Sequence, residues 1–274
     1  MSFFTTKNIS AGYGKDPIIK DISFEIKESS LVGILGANGS GKTTLLKAIC
    51  GILPHVGVCT LEGCELEKLS SKQIANLISY IPQKSGISID ISALDVVLMG
   101  FNPKLHLLEY PNQEMKKIAL EALKEVDLIE KAEKNFMHLS EGQKQLCILA
   151  RTIVASSRLL LLDEPESALD FNYRYRMLSL IKNYTKKNQS SAFVTLHDPS
   201  LALNYCDSLI LLSDGQIIGE IYPGSDTIDK MEEMLSIIYG KVSLQYAVRK
   251  NGCRQLVLLN EEIYENSNKN NLLG

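Results

Sequence analysis

A glycine-rich segment that contains one lysine is the strongest chemical signal in the sequence. Residues 36–43 read Gly-Ala-Asn-Gly-Ser-Gly-Lys-Thr and fit G-x-x-x-x-G-K-[ST], between an apolar run and a helical run. Glycines let backbone N–H groups converge on phosphate oxygens, and a helix N-terminus adds its positive end. Lys42 can then face the β- and γ-phosphates while the Thr43 hydroxyl ligates magnesium. The predicted nucleotide-binding residues are Gly36, Ala37, Asn38, Gly39, Ser40, Gly41, Lys42, Thr43 and Thr44.

A pair of acidic residues follows a run of four leucines. Leu159–Leu162 is apolar enough for a buried strand, and Asp163 and Glu164 come directly after it. In an open α/β sheet, ligands bind in the crevice at the carboxyl ends of the strands. We therefore predict that Asp163 helps to hold magnesium and that Glu164 orients and deprotonates an attacking water.

Three further signals are weak when each is taken alone. Gln83 and His197 follow apolar runs and would emerge at the same sheet edge, but either could be an ordinary structural residue. The segment 139–143 reads Leu-Ser-Glu-Gly-Gln, in which Ser140 and Gln143 fit the S-x-x-[EQ] capping box. Its simplest interpretation is a well-capped helix.

The elements that must position these residues alternate between apolar runs and segments of helical period. This alternation predicts an α/β fold with a largely parallel sheet whose strands lie at 31–35, 77–81, 159–162 and 192–196. Apolar residues between 9 and 26 predict short antiparallel strands, and about 89–157 is predicted to be a helical insert. Further predictions are a hairpin turning at Asp214-Gly215, a helix at 229–239 and a hairpin of 242–248 with 255–259.

Composition limits the classes of function. The chain has 274 residues, and its 29 Lys and Arg nearly balance 32 Asp and Glu, so no positive field favours nucleic acid. We expect a cytosolic protein, because no secretion signal or apolar run of about 20 residues is visible. The six cysteines are expected to be reduced, buried residues. Cys59 and Cys64 are close in sequence but lack the second pair of a zinc site.

The motifs also occur in one characteristic order. Tyr13, the lysine loop, Gln83, Leu-Ser-Glu-Gly-Gln, the Asp–Glu pair, Ser-Ala-Leu-Asp at 167–170 and His197 follow one another along the chain. In this order the sequence resembles the nucleotide-binding subunit of an ATP-binding cassette (ABC) transporter over about residues 1–240.

The resemblance implies a fold and a domain organisation. The fold would be a P-loop NTPase (RecA-like) core with an antiparallel β subdomain and an inserted helical subdomain. The core would comprise residues 1–88 and 158–240, and the insert 89–157 would carry the signature motif. A C-terminal β-hairpin would occupy 241–260, and 261–274 would be a disordered tail.

The resemblance also implies roles for individual residues. Tyr13 would stack on adenine, Gln83 would sense magnesium and the membrane partner, and His197 would grip the γ-phosphate. The catalytic set would be Glu164, His197 and Gln83, and the magnesium set Thr43, Gln83 and Asp163. The signature residues that face ATP on the opposite subunit would be Leu139, Ser140, Glu141, Gly142 and Gln143. The loop that links the two sites would be Ser167, Ala168, Leu169 and Asp170.

The partners implied are those of an importer. The cofactors would be ATP and Mg²⁺, and a second copy of the chain would complete an ATP-dependent head-to-tail dimer. The helical insert would receive the coupling helix of a transmembrane permease at the cytoplasmic face of the membrane. An extracytoplasmic substrate-binding protein would take part indirectly, and no nucleic acid would be bound.

Two segments narrow the substrate class. Residues 95–103 and 197–207 are similar to importers of ferric siderophores, haem and cobalamin. Manganese and zinc importers share part of the first segment, so import of those ions stays an alternative, as does a soluble ABC ATPase of iron–sulfur cluster assembly. The chain departs from the family at Ala37, usually Pro, at Glu141, usually Gly, and at Glu166, usually Thr. We expect the Glu141 side chain to point away from the phosphate.

Overall fold

The computed structural model describes residues 2–84, 86–106, 108–166 and 169–261. The strands are β1 (Phe4–Ala11), β2 (Ile19–Ile26), β3 (Leu31–Leu35), β4 (His55–Leu61), β5 (Cys64–Glu65), β6 (Ile78–Ile81), β7 (Leu159–Leu162), β8 (Ser191–Thr195), β9 (Ser208–Ser213), β10 (Gln216–Ile221), β11 (Val242–Val248) and β12 (Arg254–Asn260). The α-helices are α1 (Lys42–Ile49), α2 (Ser71–Leu77), α3 (Ala93–Leu98), α4 (Gln113–Glu125), α5 (Glu141–Ala155), α6 (Phe171–Lys187), α7 (Pro199–Tyr205) and α8 (Ile228–Tyr239).

A six-stranded sheet forms the centre of the molecule. Its order is β10-β9-β3-β8-β7-β6, and every neighbouring pair is parallel except β9 with β10. Strands β3, β7 and β8 are buried along their whole length, which explains why their sequences are almost entirely apolar. The predicted α/β fold is confirmed. The carboxyl ends of β3, β6, β7 and β8 meet at one edge of the sheet.

Two of the predicted strands have boundaries that differ from the structure by one residue. β6 begins at Ile78 because Leu77 ends α2, and β8 covers Ser191–Thr195 rather than 192–196. Helix α2 was not predicted at all. It buries none of its seven residues, so it carries no apolar period to reveal it, although Ser70 caps it with a complete capping box.

A second, antiparallel sheet packs on one face of the first. Its order is β2-β1-β4-β5, and it shares an apolar core with α1 and the buried face of the central sheet. The rings of Phe4, Phe24 and Phe193 meet there with centroids 5.4–6.1 Å apart. The antiparallel strands predicted from the apolar residues between 9 and 26 are thus present as β1 and β2.

The insert between β6 and β7 is helical, as predicted. Helices α3, α4 and α5 pack on one another and join the core on the other face of the central sheet. Ser92 caps α3 through a capping box with Asp95, and a single β-bridge joins Ser92 to Asn135. This subdomain therefore presents the start of α5 next to the sheet edge.

The C-terminal elements also follow the prediction. Asp214 and Gly215 have φ values of 47° and 76°, as a tight hairpin turn requires, and α8 follows. The Asn204 side chain bonds both the N–H and the carbonyl of Leu256, which ties the β11–β12 hairpin to α7. Glu261 still donates its N–H to the Lys241 carbonyl, and the predicted disordered tail beyond it lies outside the described residues.

All six cysteines are free. Cys64 and Cys253 are exposed, contrary to the expectation that the cysteines are buried, because each lies at the turn end of a hairpin. Among the described residues, every helix falls short of the length and hydropathy needed to cross a bilayer.

Candidate active site

The glycine-rich segment forms the turn from β3 into α1. Gly41 is the N-cap of α1 with φ 104°, a backbone conformation that favours glycine. A Cβ atom at Gly36 would lie 2.3 Å from the Leu212 carbonyl oxygen, so only glycine fits there. The Ser40 hydroxyl is buried and has no hydrogen-bond partner among the described residues. This turn leaves N–H groups and one hydroxyl available to an anion.

Lys42 is held inside this turn. Its side chain is buried, and its Nζ donates to the carbonyl oxygens of Gly36 (2.8 Å) and Ala37 (3.1 Å). Burial lowers the pKa of the Lys42 ammonium, and the carboxylates of Glu164, Asp163 and Glu166 oppose that effect. The ammonium group therefore lies against the carbonyl groups of the loop itself.

Asp163 connects the loop to the sheet edge. Its Oδ1 accepts hydrogen bonds from Thr43 Oγ1 (3.0 Å) and Thr195 Oγ1 (3.1 Å), and its Oδ2 accepts one from the Tyr80 hydroxyl (3.1 Å). Burial, with Asp163 adding to it, raises the pKa of Tyr80. The Thr43 hydroxyl and the Asp163 carboxylate are the hard oxygen ligands that Mg²⁺ prefers. Sequence reasoning missed Tyr80 and Thr195, which belong to strands rather than to the polar segments that follow them.

Glu164 is clamped between the other two predicted catalytic side chains. Its carboxylate lies 2.6 Å from His197 Nε2 and accepts a hydrogen bond of 2.6 Å from Gln83 Nε2. Its backbone has φ 47°, which is uncommon for a residue other than glycine. A cleft of about 190 Å³ is lined by Glu164 together with Ile18, Asn38, Gly39, Gly41, Lys42, Thr43 and Thr44. The carboxylate therefore faces the phosphate loop.

Glu166 is a buried acid beside this clamp. Its Oε1 accepts the N–H of His197 (3.2 Å), and its Oε2 is buried without a hydrogen-bond partner among the described residues. Burial raises the pKa of the Glu166 carboxyl, and the hydrogen bond from His197 only partly offsets the effect. The sequence marked Glu166 only as a departure from the family, because burial cannot be read at a strand-to-loop junction.

We expect Glu166→Gln to stabilise the fold near neutral pH. The pKa of Glu166 is higher in the folded chain than the ordinary value of 4.5, so the unfolded chain loses its proton first as pH rises. Wild-type stability therefore falls across that window, whereas the neutral amide is unaffected. Thermal unfolding should give the variant a higher Tm than the wild type, by a larger margin at pH 7 than at pH 4. An equal difference in Tm at both pH values would contradict a raised pKa of Glu166 in the folded chain.

Tyr13 lies beside the phosphate loop. Its ring is 62% exposed, and Lys47 of α1 approaches it with Nζ 3.2 Å from the hydroxyl and 5.6 Å from the ring centroid. One helix, α1, thus carries both Lys42 and the lysine that contacts Tyr13. The exposed ring face leaves room for a stacked base. The contact of Tyr13 with adenine stays a prediction.

The signature segment opens α5 as a capped helix. Ser140 and Gln143 form the predicted capping box, and Gly142 packs against the ring of Tyr173, where a Cβ atom would be 3.1–3.3 Å away. The side chain of Glu141 forms an ion pair with Lys144 (2.8 Å). Within the part of the chain that the structure describes, no hydrogen bond or ion pair joins residues 139–143 to residues 36–44.

Gln145, two residues after the signature segment, contacts the edge of the central sheet. Gln145 is buried, and its Nε2 donates to the Gln83 carbonyl (3.1 Å), which connects α5 to the clamp on Glu164. Sequence reasoning missed Gln145, because the sequence of a helix does not show which group a polar side chain will contact. Asp170 caps α6 by accepting the N–H of Tyr173, Leu169 is buried, and Ser167 and Ala168 lie outside the described residues.

Comparison with known protein families shows to which family the chain belongs. The family described as ABC transporter matches residues 19–167, more than half of the chain. The chain belongs to the ABC transporter family. It carries an ABC ATPase domain, it binds ATP, and its P-loop NTPase fold is the one that the resemblance implied.

Individual relatives agree with this membership of the ABC family. The chain is 37% identical over 213 residues to the "Probable iron chelatin transport ATP-binding protein" of Helicobacter pylori, covering 77% of this chain and 84% of the relative. It is 33% identical over 222 residues to the hemin import ATP-binding protein of Vibrio parahaemolyticus, covering 79% and 84%.

Solved structures of ABC proteins have the same fold. An inward-facing metal-chelate type ABC transporter superposes with a TM-score of 0.81 at 25% identity, covering 96% of this chain and all of the other. A dimeric ATP-binding cassette in a post-hydrolysis state with ADP and phosphate has a TM-score of 0.72 at 25% identity, covering 81% and 100%.

We expect Glu141→Gly to change the ATPase rate less than tenfold, which corresponds to about 1.4 kcal/mol of transition-state stabilisation. The carboxylate is engaged by Lys144 at the surface, and an exposed ion pair contributes at most about 1 kcal/mol. Steady-state phosphate release from the variant and the wild type measures the change. A hundredfold gain in rate would show that the Glu141 carboxylate opposes closure of the site.

Proposed function

We propose that this chain is the ATP-hydrolysing subunit of an importer for a metal chelate, namely a ferric siderophore, haem or cobalamin. The observation that carries the hydrolytic part is the clamp on Glu164, which lies between His197 and Gln83 and faces the phosphate loop. The names of relatives that import iron chelatin, hemin and cobalamin support the substrate class.

The proposed mechanism follows from the groups at the sheet edge. Thr43 and Asp163 would hold Mg²⁺, which when bound neutralises phosphate charge. Lys42, whose ammonium group lies at the carbonyls of Gly36 and Ala37, would face the β- and γ-phosphates. Glu164 takes a proton from the attacking water, while His197 fixes the position of the carboxylate and contacts the γ-phosphate.

A second copy of the chain would complete the site. In the described residues the signature segment 139–143 makes no hydrogen bond to its own phosphate loop, and Ser140 is exposed. A head-to-tail dimer would place Ser140 and Gly142 of one subunit against the ATP held by the other. The link from Gln145 to the Gln83 carbonyl offers a path by which a permease bound to the helical subdomain at the cytoplasmic face could influence Glu164.

Transport measurements test the substrate class. The chain is co-expressed with its permease and binding protein, and uptake of ferric siderophore, haem, cobalamin, Mn²⁺ and Zn²⁺ is compared. We expect uptake of one of the three chelates, falling to background when Glu164→Gln replaces the wild type. Uptake of Mn²⁺ or Zn²⁺ alone would contradict chelate import. Co-purification with soluble assembly proteins and no membrane protein would instead favour a role in iron–sulfur assembly.

A further inference from the structure

A second group of chemically active side chains lies in the antiparallel sheet. His55 and Cys59 belong to β4, and Glu67 lies in the short 3₁₀ turn Leu66–Lys68 that follows β5. The imidazole nitrogen, the thiol sulfur and a carboxylate oxygen all lie within 4.8 Å of one another. The nucleotide site uses none of these three residues.

A distortion of the sheet brings the three side chains together. Residues four apart on a regular strand are about 13 Å apart. Here the pairing of β1 with β4 shifts between Lys7 and Ser10, where Asn8 has φ 52° and Gly57 has φ 101°. Such a bulge bends the strands locally, and it lies between His55 and Cys59, whose positions share one face of β4.

Glu67 closes the cluster from the opposite side. Its Oε1 lies 2.9 Å from His55 Nε2 and accepts the backbone N–H of Cys59 at 2.7 Å. The Cys59 side chain is fully buried and the His55 side chain is 9% exposed, whereas Glu67 is 30% exposed. The three groups are therefore mostly buried, and the cluster is exposed to solvent mainly at Glu67.

We propose that His55 Nε2, Cys59 Sγ and the Glu67 carboxylate bind a borderline transition-metal ion such as Zn²⁺, with water as the fourth ligand. Zinc takes nitrogen, sulfur and oxygen ligands at about 2.0–2.3 Å in a tetrahedron, which places ligands roughly 3.3–3.8 Å apart. In the observed cluster the three donor atoms lie within 4.8 Å of one another, so binding would draw them closer together. The ion would displace the thiol proton to solvent.

The donor set separates this site from the magnesium site proposed at Thr43 and Asp163. Mg²⁺ takes oxygen ligands almost exclusively, whereas a thiol and an imidazole favour zinc-like ions. The position is also distinct, since His55 pairs with Ala11 in the β subdomain rather than at the carboxyl edge of the central sheet. The proposed zinc site therefore does not depend on which substrate is transported.

Cobalt and zinc titrations of the full chain without nucleotide test the proposal. We expect one equivalent of Co²⁺ to produce a thiolate-to-cobalt charge-transfer band that one equivalent of Zn²⁺ removes. Cys59→Ala should abolish the band, and His55→Ala and Glu67→Gln should each weaken Zn²⁺ binding at least tenfold, because each removes one of three protein ligands.

Matched variants control for the other thiols and imidazoles. Cys64→Ala changes an exposed cysteine on the neighbouring strand, and His138→Ala changes an exposed histidine of the helical subdomain. Both should bind like the wild type. Because Cys59 is buried and its variant can misfold, Glu67→Gln gives the decisive comparison. Absence of the band in the wild type, or a Zn²⁺ affinity of Glu67→Gln and His55→Ala equal to that of the wild type, would show a purely structural hydrogen-bond network and overturn the proposal.

Discussion

Lys42→Ala is expected to remove useful ATP binding. The Lys42 side chain is buried in the glycine-rich turn, and its ammonium group is the positive charge that we propose faces the β- and γ-phosphates. A hydrogen bond to a charged group contributes about 1.5–3 kcal/mol, so the loss of one such bond weakens binding roughly 10- to 150-fold. Because Lys42 is expected to contact two phosphates, the loss of ATP affinity would be larger still. Since the chain has no Trp, titration with a fluorescent ATP analogue is the appropriate measurement.

Two controls separate this effect from damage to the fold. Lys68→Ala removes an exposed lysine whose partner is Glu65 in the antiparallel subdomain, and it should bind ATP normally. Lys42→Ala also removes the bonds to Gly36 and Ala37, so its thermal unfolding without nucleotide must be compared with that of the wild type. Near-normal nucleotide affinity in a folded Lys42→Ala would refute the assignment of the phosphate loop.

Glu164→Gln is expected to retain ATP while hydrolysis falls about 10²- to 10⁴-fold, the usual contribution of a general base. The substitution preserves the shape of the carboxylate but cannot accept the proton from water. The clamp can persist, because the Gln83 amide can rotate and neutral His197 can accept as well as donate. Single-turnover measurements of phosphate formation give the rate, and fluorescent nucleotide binding verifies that affinity is unchanged.

The same variant tests whether two subunits together form each ATP site. With hydrolysis blocked, two Glu164→Gln subunits should remain closed around two ATP molecules and elute as a dimer in sizing chromatography with ATP. The double variant Lys42→Ala/Glu164→Gln should elute as a monomer, because it lacks the nucleotide that joins the subunits. A monomeric Glu164→Gln with ATP bound would contradict the head-to-tail dimer.

The main elements could be predicted because their physical signals are local. Strands β3, β7 and β8 are covered on both faces and are therefore nearly all apolar, and the Asp214-Gly215 turn needs positive φ at two successive residues. Helix α2 escaped prediction because it buries no side chain. The signature helix was visible as a capping box, but its partner across the dimer stays a prediction.

The sequence by itself determined the phosphate loop, the acidic pair and the likeness to ABC ATPases, because these depend on residue types at short, fixed spacings. Only the tertiary structure decided which other groups meet them. Tyr80 and Thr195 bond to Asp163, and Gln145 bonds to the Gln83 carbonyl. The burial of Glu166 and the convergence of His55 with Glu67 also appear only in the fold. Such contacts join residues that are distant in sequence, and their geometry depends on sheet order, strand register and bulges, which a linear pattern of residues does not encode.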